Sequence, residues 1–487
     1  LACWCAGVFK HPHSNTPTHQ HLQLSSMPYY LLSILLIFTA CTPQQKEKKA
    51  AIKKPNVVLI FADDLGYADL SCYGHPTIHT PRLDEMAREG MKFSSFYAAA
   101  CVCTPSRAGL LTARYPVRVG MPGNLGPDSK GGLSLEERTL AETLKSNGYR
   151  TAAFGKWHLG AVPNYLPTDR GFDEYLGILY SNDMMPPWVN TKRPLHLYRN
   201  DQPTEEQPVD QTTLTQRYTN EAIRFIEESG DQPFFIYLPH AMPHLPIYAS
   251  ADFQGKSKGG KYGDVIEEID YAVGRIIDVL EERGLSENTL LVFTSDNGPW
   301  RNLPPRMYTT EPVEKWHGGS TGALWGAKAT SYEGGYRVPA IIRMPGSIPP
   351  NQVSAEIATT MDVHATILKL TGTSLPEKKL DGKDLWPLLT QKETSPHAYY
   401  HYFKGKRLEG VRNAEWKLRI APAWDSWTSP ETMTGKEPIE VHLYNMKDDP
   451  FEHFNLAEEF PDVVKELQAE MKRMADELGA GLWELAE

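Results

Sequence analysis

Short apolar runs alternate along the chain with segments in which apolar residues recur every three or four positions. The runs are continuous, which is typical of strands buried on both faces of a sheet. They predict strands at 56–61, 150–154, 234–238, 289–295 and 338–344. The helical spacing predicts helices at 81–90, 140–147, 216–229 and 265–283. This alternation predicts an α/β fold with a large, mixed but mostly parallel sheet that lies between layers of helices.

The pattern changes near residue 389, where short aromatic segments separated by turns predict antiparallel strands. These segments are 399–403, 408–412 and 416–420. Residues 461–478 have the spacing of a charged amphipathic helix. We therefore expect a main domain over 55–388 and a smaller subdomain over 389–487, built from an antiparallel sheet and one helix.

The first 54 residues do not fit the α/β pattern. Residues 1–26 show no periodicity and are interpreted as an upstream extension, with Met27 as the expected start. Residues 27–41 hold an apolar core that is too short to span a bilayer and is typical of a signal peptide. Its end resembles a bacterial lipobox, which predicts a lipid anchor on Cys41 and a polar tether over 42–54. A plain cleaved signal peptide is the alternative.

Export follows from this interpretation, as a periplasmic or outer-membrane lipoprotein or as a secreted protein. The lipid on Cys41 would then be the only contact with the membrane. The formal net charge of −10 argues against a nucleic-acid partner, so an anionic substrate needs local positive charge. Of the six cysteines, Cys72, Cys101 and Cys103 would remain after processing, too few for a disulfide framework.

Cys103 is the first candidate for chemistry. Thr104 can cap a helix and Pro105 suits its first position, which would place the thiol just outside the positive end of that helix. Arg107 follows one turn later. Such surroundings lower the pKa of a thiol and attract anions. The residues therefore predict a reactive cysteine at an anion site, with a buried structural cysteine as the alternative.

Oxygen donors and histidines follow three of the predicted strands. In open α/β sheets, ligands bind beyond the carboxyl ends of the strands. Four hard oxygen donors on that edge suit Ca²⁺ or Mg²⁺, although each acidic pair alone is also typical of a turn. The donors are Asp63 and Asp64 after 56–61, and Asp296 and Asn297 after 289–295, with His240 and His244 after 234–238.

The run Cys-x-Pro-Ser-Arg, followed by Leu-Thr-x-Arg, resembles the modification motif of type I sulfatases, which include arylsulfatases and N-acetylgalactosamine sulfatases. This resemblance implies an alkaline-phosphatase-like fold. It also implies that Cys103, and not Cys101, is oxidised to formylglycine (3-oxoalanine) by a formylglycine-generating enzyme. Ala113 stands where that family usually has glycine, a small departure in the sequence that the modifying enzyme reads.

Two further motifs support the resemblance. Gly-Lys-x-His at 155–158 implies that Lys156 binds a sulfate oxygen and that His158 contacts the formylglycine hydroxyl; a surface lysine and a core histidine are the alternative. The segment 325–339 implies a second sulfate-binding lysine, Lys328, although Ala327 replaces a common glycine. His244 matches the histidine that meets the leaving-group oxygen. His240, Glu333 and Arg337 are assigned structural roles.

The resemblance also implies a cofactor and a reaction. One Ca²⁺ ion would be held by Asp63, Asp64, Asp296 and Asn297, with the modified Cys103 completing the site. A hydroxyl of hydrated formylglycine, activated by Ca²⁺ and Asp296, would attack sulfur. His244 would protonate the departing alcohol, and His158 would assist release of sulfate. Arg107, Lys156 and Lys328 would balance the charge on the transferred group.

The implied substrate is a sulfated saccharide, attacked from its end during polysaccharide degradation, with sulfated galactose or N-acetylgalactosamine as the expected unit. Candidate pocket residues lie at 180–186, 188–196, Trp300–Arg301 and Trp316–His317. Two alternatives stay open. One is a phosphomonoesterase or phosphodiesterase of the same superfamily, which would use two metal ions. The other is a non-catalytic, calcium-containing lipoprotein that binds glycans, if Cys103 is not modified.

Overall fold

The structure, a computed structural model, describes residues 53–204, 208–301, 303–308, 313–422 and 438–482. The predicted extension, signal peptide and lipid anchor, and all but the last two residues of the tether, lie outside the described residues. The strands are β1 (Asn56–Ala62), β2 (Met91–Phe93), β3 (Phe96–Tyr97), β4 (Arg150–Phe154), β5 (Glu174–Gly177), β6 (Tyr198–Arg199), β7 (Gln202–Pro203), β8 (Phe234–Pro239), β9 (Thr289–Ser295), β10 (Ala340–Arg343), β11 (Gln352–Ser354), β12 (Ala358–Thr359), β13 (Tyr400–Lys404), β14 (Arg407–Arg412), β15 (Trp416–Pro422) and β16 (Ile439–Asn445).

The helices of the described residues lie between these strands and after them. They are α1 (Pro81–Arg88), α2 (Cys103–Thr112), α3 (Leu140–Ser146), α4 (Leu214–Glu228), α5 (Gly260–Glu282), α6 (Pro305–Tyr308), α7 (Glu333–Tyr336), α8 (Thr360–Leu370), α9 (Trp386–Leu389) and α10 (Pro461–Leu478). Among the described residues, none of these helices has both the length and the apolar character needed to cross a bilayer.

Ten strands form the main sheet, in the order β11-β2-β10-β9-β1-β8-β4-β5-β6-β7. The five central strands from β9 to β5 pair in parallel, and each of the four predicted strands among them is buried along most of its length. Both neighbours of β10 are antiparallel to it, so the fifth predicted strand runs against the others. The mixed, mostly parallel sheet predicted from the apolar runs is confirmed.

The centre of the sheet brings the ends of β1 and β9 side by side. Their register pairs Ala62 with Ser295, the last residue of each strand. The residues that follow, Asp63 and Asp296, therefore leave the same edge of the sheet next to each other. Their backbones stay joined, because the Asp296 N–H donates to the Ala62 carbonyl at 3.1 Å.

Helix α5 packs against both α1 and α4, and its contact with α1 is polar as well as apolar. No side chain of α1 caps its N-terminus: Thr80 precedes the helix without a capping hydrogen bond. Instead Asp270 of α5 accepts from the N–H groups of Arg82 (3.3 Å) and Leu83 (2.8 Å). A carboxylate from a neighbouring helix thus satisfies the free donors of the first turn.

The C-terminal part forms a separate antiparallel sheet in the order β13-β14-β15-β16, with α10 packed against it. Three of its strands were predicted; β16 was not, although it alternates apolar and polar residues as a half-buried strand does. The described residues from Lys53 onward belong to one compact unit that contains both sheets. The division into 55–388 and 389–487 stays a prediction.

A buried ion cluster joins this smaller sheet to the main one. Lys417 of β15 lies 3.0 Å from a carboxylate oxygen of Glu333 in α7 and 2.7 Å from one of Glu452. Tyr97 and Tyr402 also donate to Glu333, at 2.8 and 2.7 Å. All the partners are buried. Burial opposes the charged form, but Lys417, Arg337 and Arg412 outweigh it and lower the pKa of Glu333 to about 2.

Candidate active site

The four predicted oxygen ligands meet at the edge where β1 and β9 end. The N–H of Asp64 donates to Asp296 Oδ1 at 3.1 Å, and the Asn297 side-chain amide donates to Asp64 Oδ1 at 2.7 Å. Asp64 has a positive φ of 64°, which bends the chain directly after the strand. Aspartate adopts this left-handed conformation more readily than most residues. The bend brings the carboxylates of Asp63 and Asp64 into one network of interacting side chains.

Helix α2 begins two residues earlier than the predicted cap Thr104 and first residue Pro105 imply. Cys103 is its first residue, and Val102 precedes it as a cap without a side-chain hydrogen bond. The predicted cap, Thr104, is inside the helix and donates from its hydroxyl to the His158 carbonyl at 2.9 Å. Pro105 is the third residue, still in the first turn where its missing N–H costs nothing.

The thiol of Cys103 is enclosed by charged groups. Its Sγ lies 3.5 Å from Asp63 Oδ1 and 3.2 Å from Lys328 Nζ, and the residue is 1% exposed. Burial raises the pKa of this thiol although Lys156 and Lys328 lower it in part. The prediction of a lowered pKa was therefore wrong, since desolvation of the thiolate exceeds the attraction of the nearby cations.

Each of three buried cations pairs with one of the three aspartates. Lys156 Nζ lies 2.5 Å from Asp63, and Lys328 Nζ lies 2.7 Å from Asp64. Arg107 lies 2.9 Å from Asp296. Buried charges persist only when they are compensated in this way. The predicted cationic residues are thus assembled around the predicted acidic ones.

The acidic groups differ in pKa because three carboxylates crowd one buried volume. Burial would raise the pKa of Asp63, but Lys156 and the neighbouring cations lower it well below its usual value. Burial raises the pKa of Asp64 despite Lys328, and burial together with Asp63 raises that of Asp296 to about 7. A cation bound beside Asp64 and Asp296 would favour their ionised forms.

The residues present fit a calcium ion. One candidate group of ligand atoms, within 4.8 Å of one another, comprises Asp63, Asp64, Cys103 and His244. Asn297 contacts Asp64 and keeps a buried side-chain oxygen that has no hydrogen-bond partner among the described residues. Carboxylate and amide oxygens are the ligands that calcium prefers. An orphaned buried amide oxygen beside crowded carboxylates is the arrangement that a hard cation would satisfy.

Two predicted histidines are buried in the site in neutral form. Burial and the nearby lysines lower the pKa of both His158 and His244 well below the usual value. His244 Nδ1 lies 2.6 Å from the Leu245 carbonyl, so the proton is on Nδ1 and Nε2 is an acceptor. His158 Nε2 lies 2.8 Å from the Leu125 carbonyl, which leaves Nδ1 without a proton or a partner among the described residues.

Two residues of the site had been assigned only to the pocket region. Ser181 Oγ lies 3.2 Å from Lys156 Nζ and 3.3 Å from His244 Nε2, so it bridges a cation and a histidine. The ring of Trp300 lies 5.3 Å from the His244 ring, and Lys328 Nζ lies 4.9 Å above it. Placement of Ser181 shortly after β5, at the same sheet edge, is the signal that could have identified it.

The residues assigned structural roles lie outside this network. His240 is buried with no hydrogen-bond partner for either ring nitrogen among the described residues, and burial lowers its pKa to about 4. Glu333 belongs to the ion cluster under the smaller sheet, and Arg337 donates to the Ser94 carbonyl. Of the pocket residues, Trp316 is 75% exposed and His317 is buried.

Known proteins resemble this chain over most of its length. Residues 55–373 match the sulfatase family, and residues 323–477 match the C-terminal region of N-sulphoglucosamine sulphohydrolase. Human arylsulfatase A is 38% identical over 86% of this chain and 87% of its own length. N-acetylgalactosamine-6-sulfatase of Sus scrofa is 38% identical over 77% and 74%. A structure from work on the metabolism of multiple glycosaminoglycans by Bacteroides thetaiotaomicron has a TM-score of 0.76 at 28% identity, covering 87% and 99%.

Proposed function

Because this chain belongs to the sulfatase family and is a sulfatase, we propose that it removes sulfate from a sulfated carbohydrate with an oxidised Cys103 and one calcium ion. The observation that carries the proposal is the buried assembly of Cys103 with three cations and three carboxylates. This assembly provides positive charge for a sulfate group in a chain whose net charge is −10.

Asp63, Asp64, Asp296 and Asn297 are the residues that would hold calcium. When bound, calcium would polarise a sulfate oxygen and stabilise negative charge on the oxygen carried by residue 103. Cys103, oxidised to formylglycine and hydrated, carries the hydroxyl that attacks sulfur. Its position as the first residue of α2 directs the partial positive charge of the helix toward this group.

Lys156, Lys328 and Arg107 stabilise the charge that develops on the transferred sulfate. Lys156 and Lys328 each donate to an aspartate, and a sulfate group would share their ammonium hydrogens. Arg107 is already fixed by Asp296 and by the Lys156 carbonyl, so it needs no rearrangement. In many enzymes, fixed donors of this kind make the largest single contribution to the rate enhancement.

The two histidines handle protons. His244 Nε2 can protonate the departing alcohol only after it gains a proton, and the proton on Nδ1 is held by the Leu245 carbonyl. A bound sulfate anion raises the pKa of His244, since it opposes the effect of Lys328 and Lys156. His158 Nδ1 is a free acceptor and can take the proton from the hydroxyl at residue 103 when sulfate is released.

The sugar class is inferred from the relatives. A relative is an N-acetylgalactosamine-6-sulfatase, and a structural neighbour comes from work on glycosaminoglycan metabolism. These support a substrate that contains sulfated N-acetylgalactosamine. The proposal also includes sulfated galactose, and removal of sulfate from the sugar at the end of a polysaccharide. The proposal includes export through the signal-like segment that ends at Cys41, because sulfated polysaccharides are found outside the cell.

A phosphatase of the same superfamily is the second candidate, and the site favours it less. Among the described residues there is one group that could hold a metal ion, whereas the rival mechanism needs two ions. Lys156 and Lys328 also pair with two of the candidate ligands, and a second cation beside these carboxylates would be repelled by both ammonium groups. Hydrolysis of 4-nitrophenyl phosphate faster than 4-nitrophenyl sulfate by the matured protein would favour this rival.

The experiment that tests the function combines mass spectrometry with kinetics. The protein is produced with a formylglycine-generating enzyme, and the tryptic peptide 93–107 is examined for replacement of the thiol by an aldehyde. We expect the aldehyde, together with hydrolysis of 4-nitrocatechol sulfate that Cys103→Ala abolishes. Cys101→Ala is the matched control and should keep activity. An unmodified, inactive Cys103 would instead support the glycan-binding alternative.

A further inference from the structure

A cleft of about 850 Å³ lies beside the catalytic centre and is separate from it. Its volume is in the range of cavities that bind small molecules. The described residues that line it do not include Cys103 or the groups around the thiol. The lining residues that matter here are Asp69, Arg301, Lys315, Trp316, Trp325 and His453.

The wall of this cleft is continuous with catalytic residues. Arg301 lines the cleft, and the preceding residue, Trp300, packs against His244 and Lys328. Ala327 also lines it, directly before Lys328, whose N–H donates to the Pro299 carbonyl at 3.0 Å. The cleft and the groups that would hold sulfate and leaving group therefore share two segments of the chain, 300–301 and 327–328.

The floor of the cleft is fixed by a buried acid. Asp69 accepts from the N–H of Gly66 (2.6 Å), the N–H of Ser320 (2.7 Å) and the hydroxyl of Tyr262 (2.6 Å). A Cβ atom at Gly319 would lie 2.2 Å from this carboxylate, so the backbone is packed directly against it. The carboxylate of Asp69 is thus hydrogen-bonded within the protein, and the residue is buried.

The exposed groups of the cleft have one sign of charge. Among the described lining residues, Arg301, Lys315 and His453 are exposed and basic, and the acid is buried. Trp316 and Trp325 are 75% and 55% exposed, so both present indole surface to solvent. Cationic groups beside open aromatic rings suit a ligand that is anionic and has an apolar face, as an acidic sugar has.

We propose that the cleft binds the sugar residue next to the one that loses sulfate, and that this second residue carries an anionic group. The inference rests on the proposed function and extends it. The substrate is then an oligosaccharide or polysaccharide with at least two negative charges. Trp316 packs against the second ring, while Arg301 and Lys315 pair with its carboxylate or its second sulfate.

The test compares substrates that do and do not reach the cleft. One is a disaccharide with N-acetylgalactosamine 6-sulfate at the non-reducing end and glucuronate next to it. A second replaces glucuronate by a sulfated galactose, and a third has the glucuronate carboxyl reduced to an alcohol. 4-Nitrocatechol sulfate has no second sugar and is the reference substrate. The measured quantity is the ratio of kcat/KM for each disaccharide to that for the aryl sulfate.

In Trp316→Ala, Arg301→Gln and Lys315→Gln we expect this ratio to fall about tenfold for an anionic disaccharide. Carboxyl reduction should lower the ratio similarly in the wild-type enzyme if a uronate is the natural neighbour. If the three substitutions lower the ratio more for the disaccharide with sulfated galactose, the anionic group that binds in the cleft is a second sulfate. Tyr271→Ala and Lys472→Gln, exposed residues that do not line the cleft, should keep the wild-type ratio.

Unchanged ratios in all three cleft variants, with aryl sulfate turned over normally, would overturn the cleft proposal and leave the sulfatase function intact. Absence of any sulfatase activity would overturn the proposed function instead. In that case calorimetry with the glucuronate disaccharide decides the matter. Binding that Trp316→Ala weakens about tenfold supports the cleft as a glycan site, and equal or absent binding overturns it.

Discussion

Arg107 spans the catalytic centre through three of its nitrogen atoms. Nη1 donates to the Lys156 carbonyl at 2.7 Å, while Nε and Nη2 both donate to Asp296 Oδ2, at 3.1 and 2.9 Å. It is fully buried, with the ring of Phe61 5.7 Å from the guanidinium carbon. Burial lowers the pKa of Arg107, but Asp296 and Asp63 raise it by more, so the charge is permanent. One side chain thus fixes an acid and the backbone of a neighbouring lysine.

Replacement of Arg107 by lysine keeps the charge and removes this fork of donors. We expect Arg107→Lys to lower kcat/KM for 4-nitrocatechol sulfate about 100-fold, since removal of one fixed donor has that order of effect. Steady-state kinetics on protein with equal formylglycine content checks this. Arg473→Lys on the surface of α10 is the control and should behave as the wild type. Near-normal activity of Arg107→Lys would contradict the positioning role.

The clustering of the candidate site residues could be predicted from the sequence, whereas their protonation states could not. Asp63, Cys103, Lys156 and Lys328 stand in recognisable motifs, and the structure brings all of them together. The raised pKa of the thiol was missed because it depends on complete burial. Helix dipoles and a nearby arginine, which the sequence shows, act in the opposite direction.

At the scale of elements, the local pattern of apolar residues was sufficient to predict the first and last residues of β4, β9 and α10 correctly. Elements whose form depends on distant partners were less predictable. The start of α2 carries no side-chain cap at Val102 to mark it. The direction of β10 is set by pairing with β2 and β9, neither of which adjoins it in the chain.

The ion cluster between the sheets provides a stability test. Lys417→Met would leave Glu333 and Glu452 buried without the cation that they share, and only Glu333 would keep other cations, Arg337 and Arg412, nearby. We expect a loss of about 3–5 kcal/mol in the free energy of unfolding, measured by urea denaturation of the folded enzyme. Lys447→Met removes an exposed partner of Glu415 and should change stability by less than about 0.5 kcal/mol. Similar small losses in both variants would show that the cluster is dispensable.

The contact between α5 and α1 gives a pH dependence. Burial raises the pKa of Asp270 from 3.8 to about 7, although the N–H groups of Leu83 and Arg82 lower it in part. A raised carboxyl pKa means that the folded state holds the proton more tightly than the unfolded state. Its contribution to stability is present below about pH 4 and is lost as pH rises through about 7.

Asp270→Asn should therefore become more stable relative to the wild type as pH rises from about 4 to 7, by about 4 kcal/mol at most. Thermal unfolding of both proteins across that range measures the change. Asp278→Asn, an exposed position on the same helix that pairs with the side chain of Arg82, is the control and should show no such trend. If the difference in stability between Asp270→Asn and the wild type did not change with pH, the raised pKa of Asp270 would be refuted.

At the scale of the whole molecule, three carboxylates meet where the central strands β1 and β9 end, and a cation bound there would tie the two strands together. We expect Ca²⁺ to raise the melting temperature of the enzyme and EGTA to lower it. At 100-fold excess of ion over its Kd the stabilisation is about 2.7 kcal/mol. Differential scanning calorimetry measures this, independently of activity.

Asp296→Asn removes one proposed ligand and should respond to Ca²⁺ much less than the wild type. Asp231→Asn changes an exposed carboxylate that is paired with Lys53, and it should respond as the wild type does. An equal response in both variants would place the calcium-binding effect elsewhere in the protein.

The burial of Cys103 has a consequence for the order of events during synthesis. Its Sγ is enclosed by Asp63, which precedes it by 40 residues, and by Lys328, which is made 225 residues later. Once those segments close around α2, a second enzyme has no route to the thiol. Under the proposed function, oxidation of Cys103 would therefore have to precede the closure of these segments around α2.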